Sequence, residues 1–257
     1  MRIGIKVGSS LLTNIGNGLN NEMVLKICQQ IAELVTSGHQ IFLVTSGAVA
    51  SDPKKYRAKN LRAAVGMGRL IRRYIEYFDI FGVEVAQVLL TDHDLHDHCR
   101  GSLIGLLNLA MTSRIVPILN ANDSVDWQEL EQLKICADND VLFMNLCLAL
   151  RPDLAIIGFD QLGVLYEDDK LVRLVTEKNF FHLLEFVYVG NELGYGEFGM
   201  LTKMQVARHL ARGDIKTVIA PGRADSFILR AIQELDQPTD SFGTWFKFKQ
   251  LELPSLT

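Results

Sequence analysis

Met1-Arg2-Ile3-Gly4-Ile5-Lys6-Val7-Gly8-Ser9-Ser10 opens the chain. It begins as a short apolar strand with a lysine inside it, and a glycine and two serines follow at once. A lysine at the end of a buried strand is costly unless an anion meets it. The Gly-Ser-Ser turn offers backbone amides and hydroxyls to such an anion. Two readings stand at this point, a phosphate grip over residues 6 to 10 and a plain strand-to-turn. The chain carries no GxxxxGK[ST], which argues against a P-loop.

Working outward, the pattern alternates. Asn20 is placed to cap a helix whose apolar positions are Met23, Val24, Ile27, Ile31, Leu34 and Val35, with Gly38 as its stop. Ile41 to Val44 is a continuous apolar run of the kind found in buried parallel strands, and it ends in Thr45-Ser46-Gly47-Ala48. The basic stretch Ser51 to Asn60 reads as an exposed loop. A helix over Leu61 to Phe78, a strand over Val83 to Leu90, a helix over Leu103 to Met111 and a strand over Ile115 to Leu119 follow. Asn120-Ala121-Asn122-Asp123 closes that strand, and Asp138-Asn139-Asp140 opens a helix through Leu150. Beyond residue 150 the alternation resumes. Strands are expected at Leu154 to Ile157 and Thr217 to Ala220, helices at Met200 to Ala211 and near Phe227 to Leu235, and an edge strand at Thr244 to Phe248. Gly213 is expected to end the first of these helices. Strands alternating with helices predict a mostly parallel sheet covered on both faces. Ligands then bind at the carboxyl ends of the strands, where Gly8 to Ser10, Thr45 to Gly47, Asn120 to Asp123 and Asp160 gather.

Bulk composition narrows the field. The chain has 257 residues, 48% hydrophobic and 22% charged, as in an ordinary soluble globular protein. A net charge of -4 argues against a nucleic-acid partner. No apolar run reaches the roughly 18 residues that span a bilayer, so no membrane partner is expected. Cys28, Cys99, Cys136 and Cys147 show no CxxC spacing. With no secretion signal, they read as reduced thiols in a cytoplasmic protein. The run Asp92-His93-Asp94-Leu95-His96-Asp97-His98-Cys99 has zinc-type side chains but no zinc-type spacing, and it reads as a polar, capped helix start with no metal site.

Three further stretches carry chemistry. Asn120 to Asp123 and Asp138 to Asp140 supply amides and carboxylates beyond what helix capping uses. Such groups suit an amino acid, whose ammonium seeks a carboxylate and whose carboxylate seeks amides or hydroxyls. Gly194-Tyr195-Gly196-Glu197-Phe198-Gly199-Met200-Leu201-Thr202-Lys203 is a glycine-rich turn into a helix. Helix N-termini attract phosphate. Lys203 is expected in the first turn, where the dipole disfavours a cation unless an anion binds nearby or water solvates it.

Taken together, these pieces resemble the amino acid kinase family, and within it the glutamate-phosphorylating branch. Lys6 to Ser10, Thr45 to Ala50, Ala63-Ala64-Val65-Gly66, Asn120 to Val125, Asp138 to Asp140, Asp160 to Tyr166, Gly199 to Lys203 and Gly243 to Phe246 occur in family order. The resemblance implies an α/β fold, a three-layer αβα sandwich with a mostly parallel central sheet, of the carbamate kinase type. It implies a single kinase domain over residues 1–257, with an amino-acid-binding lobe at 1–150 and a nucleotide-binding lobe at 151–257. The implied reaction moves the γ-phosphate of ATP, with Mg2+, onto the side-chain carboxylate of L-glutamate, the first step of proline synthesis. It also implies a homo-oligomer, dimer or tetramer; as a departure from the family, the RNA-binding-like PUA domain that follows in many bacterial relatives is expected to be missing from a chain of 257 residues.

By the same resemblance, Lys6, Lys203 and Asp140 are the catalytic set, with Asp140 holding the two lysines. Lys6, Gly8, Ser9, Phe159, Asp160, Glu197, Phe198, Gly199, Met200, Leu201, Thr202 and Lys203 match the ATP contacts. Ser46, Gly47, Asn120, Asp123 and Asn139 match the glutamate contacts. Rival readings are a kinase of another acceptor, such as N-acetylglutamate, aspartate or a nucleoside monophosphate, and a non-catalytic amino-acid or nucleotide sensor on this fold.

Overall fold

The structure is a computed structural model describing residues 1–14, 18–52, 58–95, 97–124, 138–192, 198–236 and 241–249. In chain order the elements are β1 (Arg2–Val7), α1 (Ser9–Leu12), β2 (Thr13–Asn14), β3 (Gly18–Leu19), α2 (Asn21–Thr36), β4 (Gln40–Thr45), α3 (Ala48–Ser51), α4 (Lys59–Ile80) and β5 (Val85–Leu90). A 3₁₀ turn at Asp92–Leu95 leads into α5 (Asp97–Thr112), β6 (Val116–Ala121), α6 (Asn139–Leu150) and β7 (Leu154–Phe159). The last part comprises β8 (Leu165–Tyr166), β9 (Lys170–Leu171), β10 (Leu174–Val175), α7 (Phe180–Glu192), α8 (Phe198–Arg212), β11 (Lys216–Pro221), α9 (Phe227–Gln233) and β12 (Thr244–Phe246).

Eight strands form one sheet in the order β10-β12-β11-β7-β1-β4-β6-β5. Every pairing is parallel except β11 with β12. The sheet therefore runs unbroken through both the 1–150 and the 151–257 segments, because β7 pairs directly with β1. The chain leaves β1 toward β4 on one side and later returns to β7 on the other. That makes the carboxyl end of β1 the topological switch point, where parallel sheets leave a crevice.

The strands are near-continuous apolar runs because both faces are covered. One layer packs Ile3, Ile5, Val7, Ile41, Leu43, Ile118, Ile156 and Val218 against α2, α4 and α9. The other packs Phe42, Val44, Leu119, Ala155, Ile157 and Ile219 against α5, α6, α7 and α8. Residues alternate across the sheet. Ile3, Ile5 and Val7 face the first layer, so the pleat turns Gly4 and Lys6 toward the second. A Cβ on Gly4 would lie 2.5 Å from the Phe42 ring and 3.1 Å from the Phe143 ring of α6.

Several expectations need correction. The stretch Ser51 to Asn60 is not an exposed loop throughout. Ser51 ends α3 and is buried with Asp52, Lys59 starts α4, and residues 53–57 lie outside the described part. The strand at Thr244–Phe246 is interior, because the two-residue β10 pairs along its outer side. Helix α8 starts at Phe198, which puts Lys203 in its second turn. The helix ends at Arg212, directly before Gly213 as expected, and the left-handed residue that follows is Asp214, with a φ of 62°. The cap at Asn20 holds, since its side chain accepts from the Met23 N–H at 3.2 Å. No described helix is long and apolar enough to cross a membrane.

Candidate functional site

The site is built where β1, β4 and β7 end. Lys6 is the second-last residue of β1, and the pleat carries it toward α6. Asp138 caps α6, its side chain accepting from the Asp140 N–H at 2.8 Å. Capping fixes the first turn, and the first turn presents Asp140 to the strand end. One Asp140 oxygen, Oδ1, pairs with Lys6 Nζ. The other, Oδ2, accepts from Lys203 Nζ at 3.0 Å. Lys203 reaches over from α8, donates also to the Gly199 carbonyl at 3.1 Å, and lies 4.5 Å from the centre of the Phe159 ring.

All three charged groups are almost without solvent, at 3% for Lys6, 4% for Asp140 and 5% for Lys203. Two buried cations share one carboxylate, so the trio keeps a net positive charge. Burial would raise the Asp140 carboxyl, but the two lysines together outweigh it and hold the group below the usual carboxylate range. Burial, aided by the like charge of Lys203, pushes the Lys6 ammonium below the ordinary lysine value, although Asp140 opposes this. A net cation held this far from water is stable only where an anion is expected.

The trio opens into a cleft of about 580 Å³. Gly8, Ser9, Phe159 and Gly199 line it with the trio, as do Ser46, Gly47, Asp123, Asn139 and Arg62. Two backbone devices shape the side of the cleft where β4 turns into α3. Gly47 has a φ of 96°, a left-handed conformation that glycine adopts without strain, and it turns the chain from β4 into α3. Gly66 lets α4 lie against α3, since a Cβ there would sit 1.7 Å from the Ala48 carbonyl oxygen. Asn139 ties the start of α6 to the end of β6 by accepting from the Ala121 N–H at 3.3 Å.

Of the residues expected from the sequence, Lys6, Gly8, Ser9, Ser46, Gly47, Asp123, Asn139, Asp140, Phe159, Gly199 and Lys203 line this one cleft. Asp160 follows at the end of β7, its Oδ1 buried without a hydrogen-bond partner among the described residues. Met200 turns into the second core layer, and Leu201 and Thr202 are half-buried on α8. Phe198 starts α8, and Glu197 lies outside the described residues. Asn120 takes the opposite face of β6. It is buried beside Thr45, Met67 and Tyr74 rather than among the cleft's lining residues. The alternation in Val116–Ala121 carries that information, because Asn120 shares parity with Ile118 of the first layer. Arg62 is the residue that sequence reasoning missed; its only signal is a cation immediately before Ala63-Ala64-Val65-Gly66.

The His- and Cys-rich stretch forms a capped turn. Asp94 accepts from the Thr91 N–H at 2.8 Å and from its hydroxyl at 2.7 Å. Among the described residues no three His, Cys, Asp or Glu side chains group to hold a metal; His96 is not one of them.

A curated glutamate 5-kinase of Shewanella amazonensis is 33% identical over 98% of this chain and 68% of its own length. One from Chromobacterium violaceum is 36% identical over 89% of this chain and 64% of its own. The chain thus spans about two thirds of the length of the curated relatives it matches. Among solved structures, the carbamate kinase from Giardia lamblia bound to AMP-PNP superposes with a TM-score of 0.65 at 12% identity, covering 96% of this chain and 98% of that one. That likeness establishes the carbamate kinase-type fold expected from the sequence. The sequence pattern of the amino acid kinase family matches residues 1–221, and on that match, over most of its length, the chain belongs to the amino acid kinase family.

Proposed function

We propose that this chain is a kinase that transfers the γ-phosphoryl group of ATP to the side-chain carboxylate of L-glutamate, giving L-glutamyl 5-phosphate and ADP. The observation that carries the reading is the buried Lys6–Asp140–Lys203 trio at the switch-point cleft, in a chain whose curated relatives are glutamate 5-kinases. The β7 and α8 side of the cleft is the nucleotide end in this reading, and the β4 and β6 side is the acceptor end.

A carboxylate attacking a phosphate brings two anions together, so positioning and flanking cations supply most of the catalysis. Lys6 and Lys203 each keep ammonium protons beyond those used on Asp140, and these meet the phosphoryl oxygens from two sides. Asp140 keeps the lysines in place while charge moves. No general base is required, because the attacking carboxylate is already ionised at neutral pH. Ser46, Gly47, Asp123 and Asn139 hold the amino acid. The hydroxyl and carboxylate donors of the cleft are hard oxygens that suit Mg2+. Ser9 and Asp138 are the cleft side chains that would hold it, with Asp123 left to the amino acid. When bound, the ion neutralises phosphate charge.

The test is an assay with ATP, Mg2+ and each candidate acceptor, using hydroxylamine to trap the acyl phosphate. Hydroxamate is expected with L-glutamate and not with aspartate or N-acetylglutamate. Nucleotide binding without hydroxamate from any acceptor would refute the reading in favour of a sensor.

A pH prediction follows from Lys6. ATP prefers its ammonium form, whose pKa lies below the ordinary lysine value of about 10.4. Affinity for ATP, measured without acceptor, should therefore weaken as pH rises, before ordinary lysines titrate. The Lys6→Met variant should bind ATP more weakly and with a flatter pH dependence. Equal alkaline slopes in the two proteins would remove Lys6 from the nucleotide site.

A further inference from the structure

Arg62 is the one described cation lining the cleft that does not belong to the trio. It lies in the first turn of α4, where the helix dipole disfavours a positive charge and which holds no acidic residue of its own. Its guanidinium is half-buried and forms no ion pair with any described residue. One donor is used, Nη2 to the Val49 carbonyl at 3.0 Å. Nε is buried with no partner, and a buried unmet donor is costly. The Val49 carbonyl belongs to α3, so the bond aligns the guanidinium with the turn that carries Ser46 and Gly47. Arginine is suited to such a place, because its planar fork meets a carboxylate with two parallel hydrogen bonds.

We propose that Arg62 binds the α-carboxylate of the acceptor amino acid and selects for acceptors that carry one. The inference rests on the glutamate-kinase reading above. L-glutamate brings three charges into the cleft. Its side-chain carboxylate goes to the phosphoryl group beside Lys6 and Lys203. Its ammonium is served by the carboxylate of Asp123. Its α-carboxylate then needs a cation at the acceptor end, and both lysines are committed to Asp140 at the other end. Arg62 hangs from α4, which packs on α3, the helix that follows the Ser46-Gly47 turn, and so reaches the cleft from the acceptor side. A bond from Nη2 to the backbone makes Arg62 a specificity residue with a fixed aim rather than a solvated surface charge.

The experiment compares L-glutamate with L-isoglutamine, whose α-carboxamide has the same shape without the charge, in the hydroxamate assay. In wild-type protein glutamate should be favoured. Arg62→Leu should raise KM for glutamate about 10²-fold, the effect expected from one charge-assisted contact, with little change in kcat. KM for isoglutamine should stay within about threefold, so the preference collapses. Arg62→Lys should recover part of it, since an ammonium cannot hold Val49 and the ligand in one plane. Thermal melting of each variant reports folding. Equal losses on both acceptors, or no loss on glutamate, would overturn the role. If the wild-type protein makes no hydroxamate from glutamate, the functional reading fails by itself. Calorimetric titration of the same two compounds then decides Arg62. Glutamate binding that is lost in Arg62→Leu supports the assignment, and equal binding or none to the wild type overturns it.

Discussion

Replacing Asp140 with asparagine should lower turnover about 10³-fold, the upper range for losing a preorganised electrostatic element. The shape of the side chain is kept, so the effect isolates charge and acceptor count. A carboxylate offers an acceptor oxygen to each lysine, and here Oδ1 faces Lys6 while Oδ2 faces Lys203. An asparagine offers one oxygen and turns an N–H2 group toward the other ammonium. One lysine loses its partner, and the buried pair of cations is left without neutralisation. Breaking a buried pair from one side costs about 3–5 kcal/mol of stability. That is a large part of the roughly 5–15 kcal/mol that holds a domain together. Lys6, already below its ordinary value through burial, loses the neighbour that opposes that shift, so its ammonium form, and with it its use to a transferring phosphoryl group, is held still less firmly. Steady-state kcat and the urea midpoint measure the two consequences. A folded Asp140→Asn protein with near-normal kcat would show that the carboxylate is only structural. Because the three groups act as a unit, Lys203→Met in the Asp140→Asn background should add little to the loss, whereas independent roles would multiply.

The same carboxylate sets an acid limit whose sign is fixed by its depressed pKa. A carboxyl held below its unfolded value contributes stability that is fully present above about pH 4, the unfolded value, and is lost as pH falls through the folded value. The wild-type protein should therefore keep this contribution across the neutral and mildly acid range. The asparagine variant should lack that part of the acid transition altogether.

Much of this arrangement was legible in the sequence, and the reason is periodicity. A lysine at an even position of a strand whose odd positions are Ile3, Ile5 and Val7 must face the other layer. The buried parallel strands were visible as apolar runs, and the polar residues at their ends marked the crevice. What failed to show had no period or no length. Helix α7 reads Phe-Phe-His-Leu-Leu-Glu-Phe-Val-Tyr-Val and carries no polar face to mark it. Strands β8, β9 and β10 have two residues each, too few for alternation to register, and missing β10 made β12 look like an edge. The meeting of Lys203 with Asp140, 63 residues away, is a tertiary fact. Family order hinted at it, while local chemistry contained nothing of it. Arg62 was hidden for the opposite reason. It sits in a helix start among other basic residues, and its distinction is the Val49 carbonyl that turns it inward.

Gly66→Ala should cost about 2 kcal/mol of stability and about 10² in kcat/KM for glutamate, through backbone displacement alone. In an ordinary helix interior the same change stabilises by about 1 kcal/mol, because glycine is a poor helix former. The sign is reversed here by one contact. A Cβ at position 66 would stand 1.7 Å from the Ala48 carbonyl oxygen and 2.8 Å from its carbon, both of them backbone atoms that no rotamer change can move. Helices α3 and α4 must part by about 1 Å or more, and a misplacement of that size is enough for a 10²-fold loss. Helix α3 follows directly from the Ser46-Gly47 turn and provides the carbonyl that aligns Arg62, so the acceptor end of the cleft moves with it. The lysine trio is held by β1, α6 and α8, none of which supplies one of the three atoms nearest to the new methyl group. Affinity for ATP should therefore stay within about twofold while the acceptor's kcat/KM falls, a split that general unfolding would not produce. Gly68 supplies the control two residues further along the same helix. Nothing lies within 4 Å of a Cβ there, so Gly68→Ala should be neutral or stabilising with normal kinetics. If Gly66→Ala matched Gly68→Ala in melting temperature and in kcat/KM for glutamate, close packing of α4 on α3 would not be what positions the acceptor.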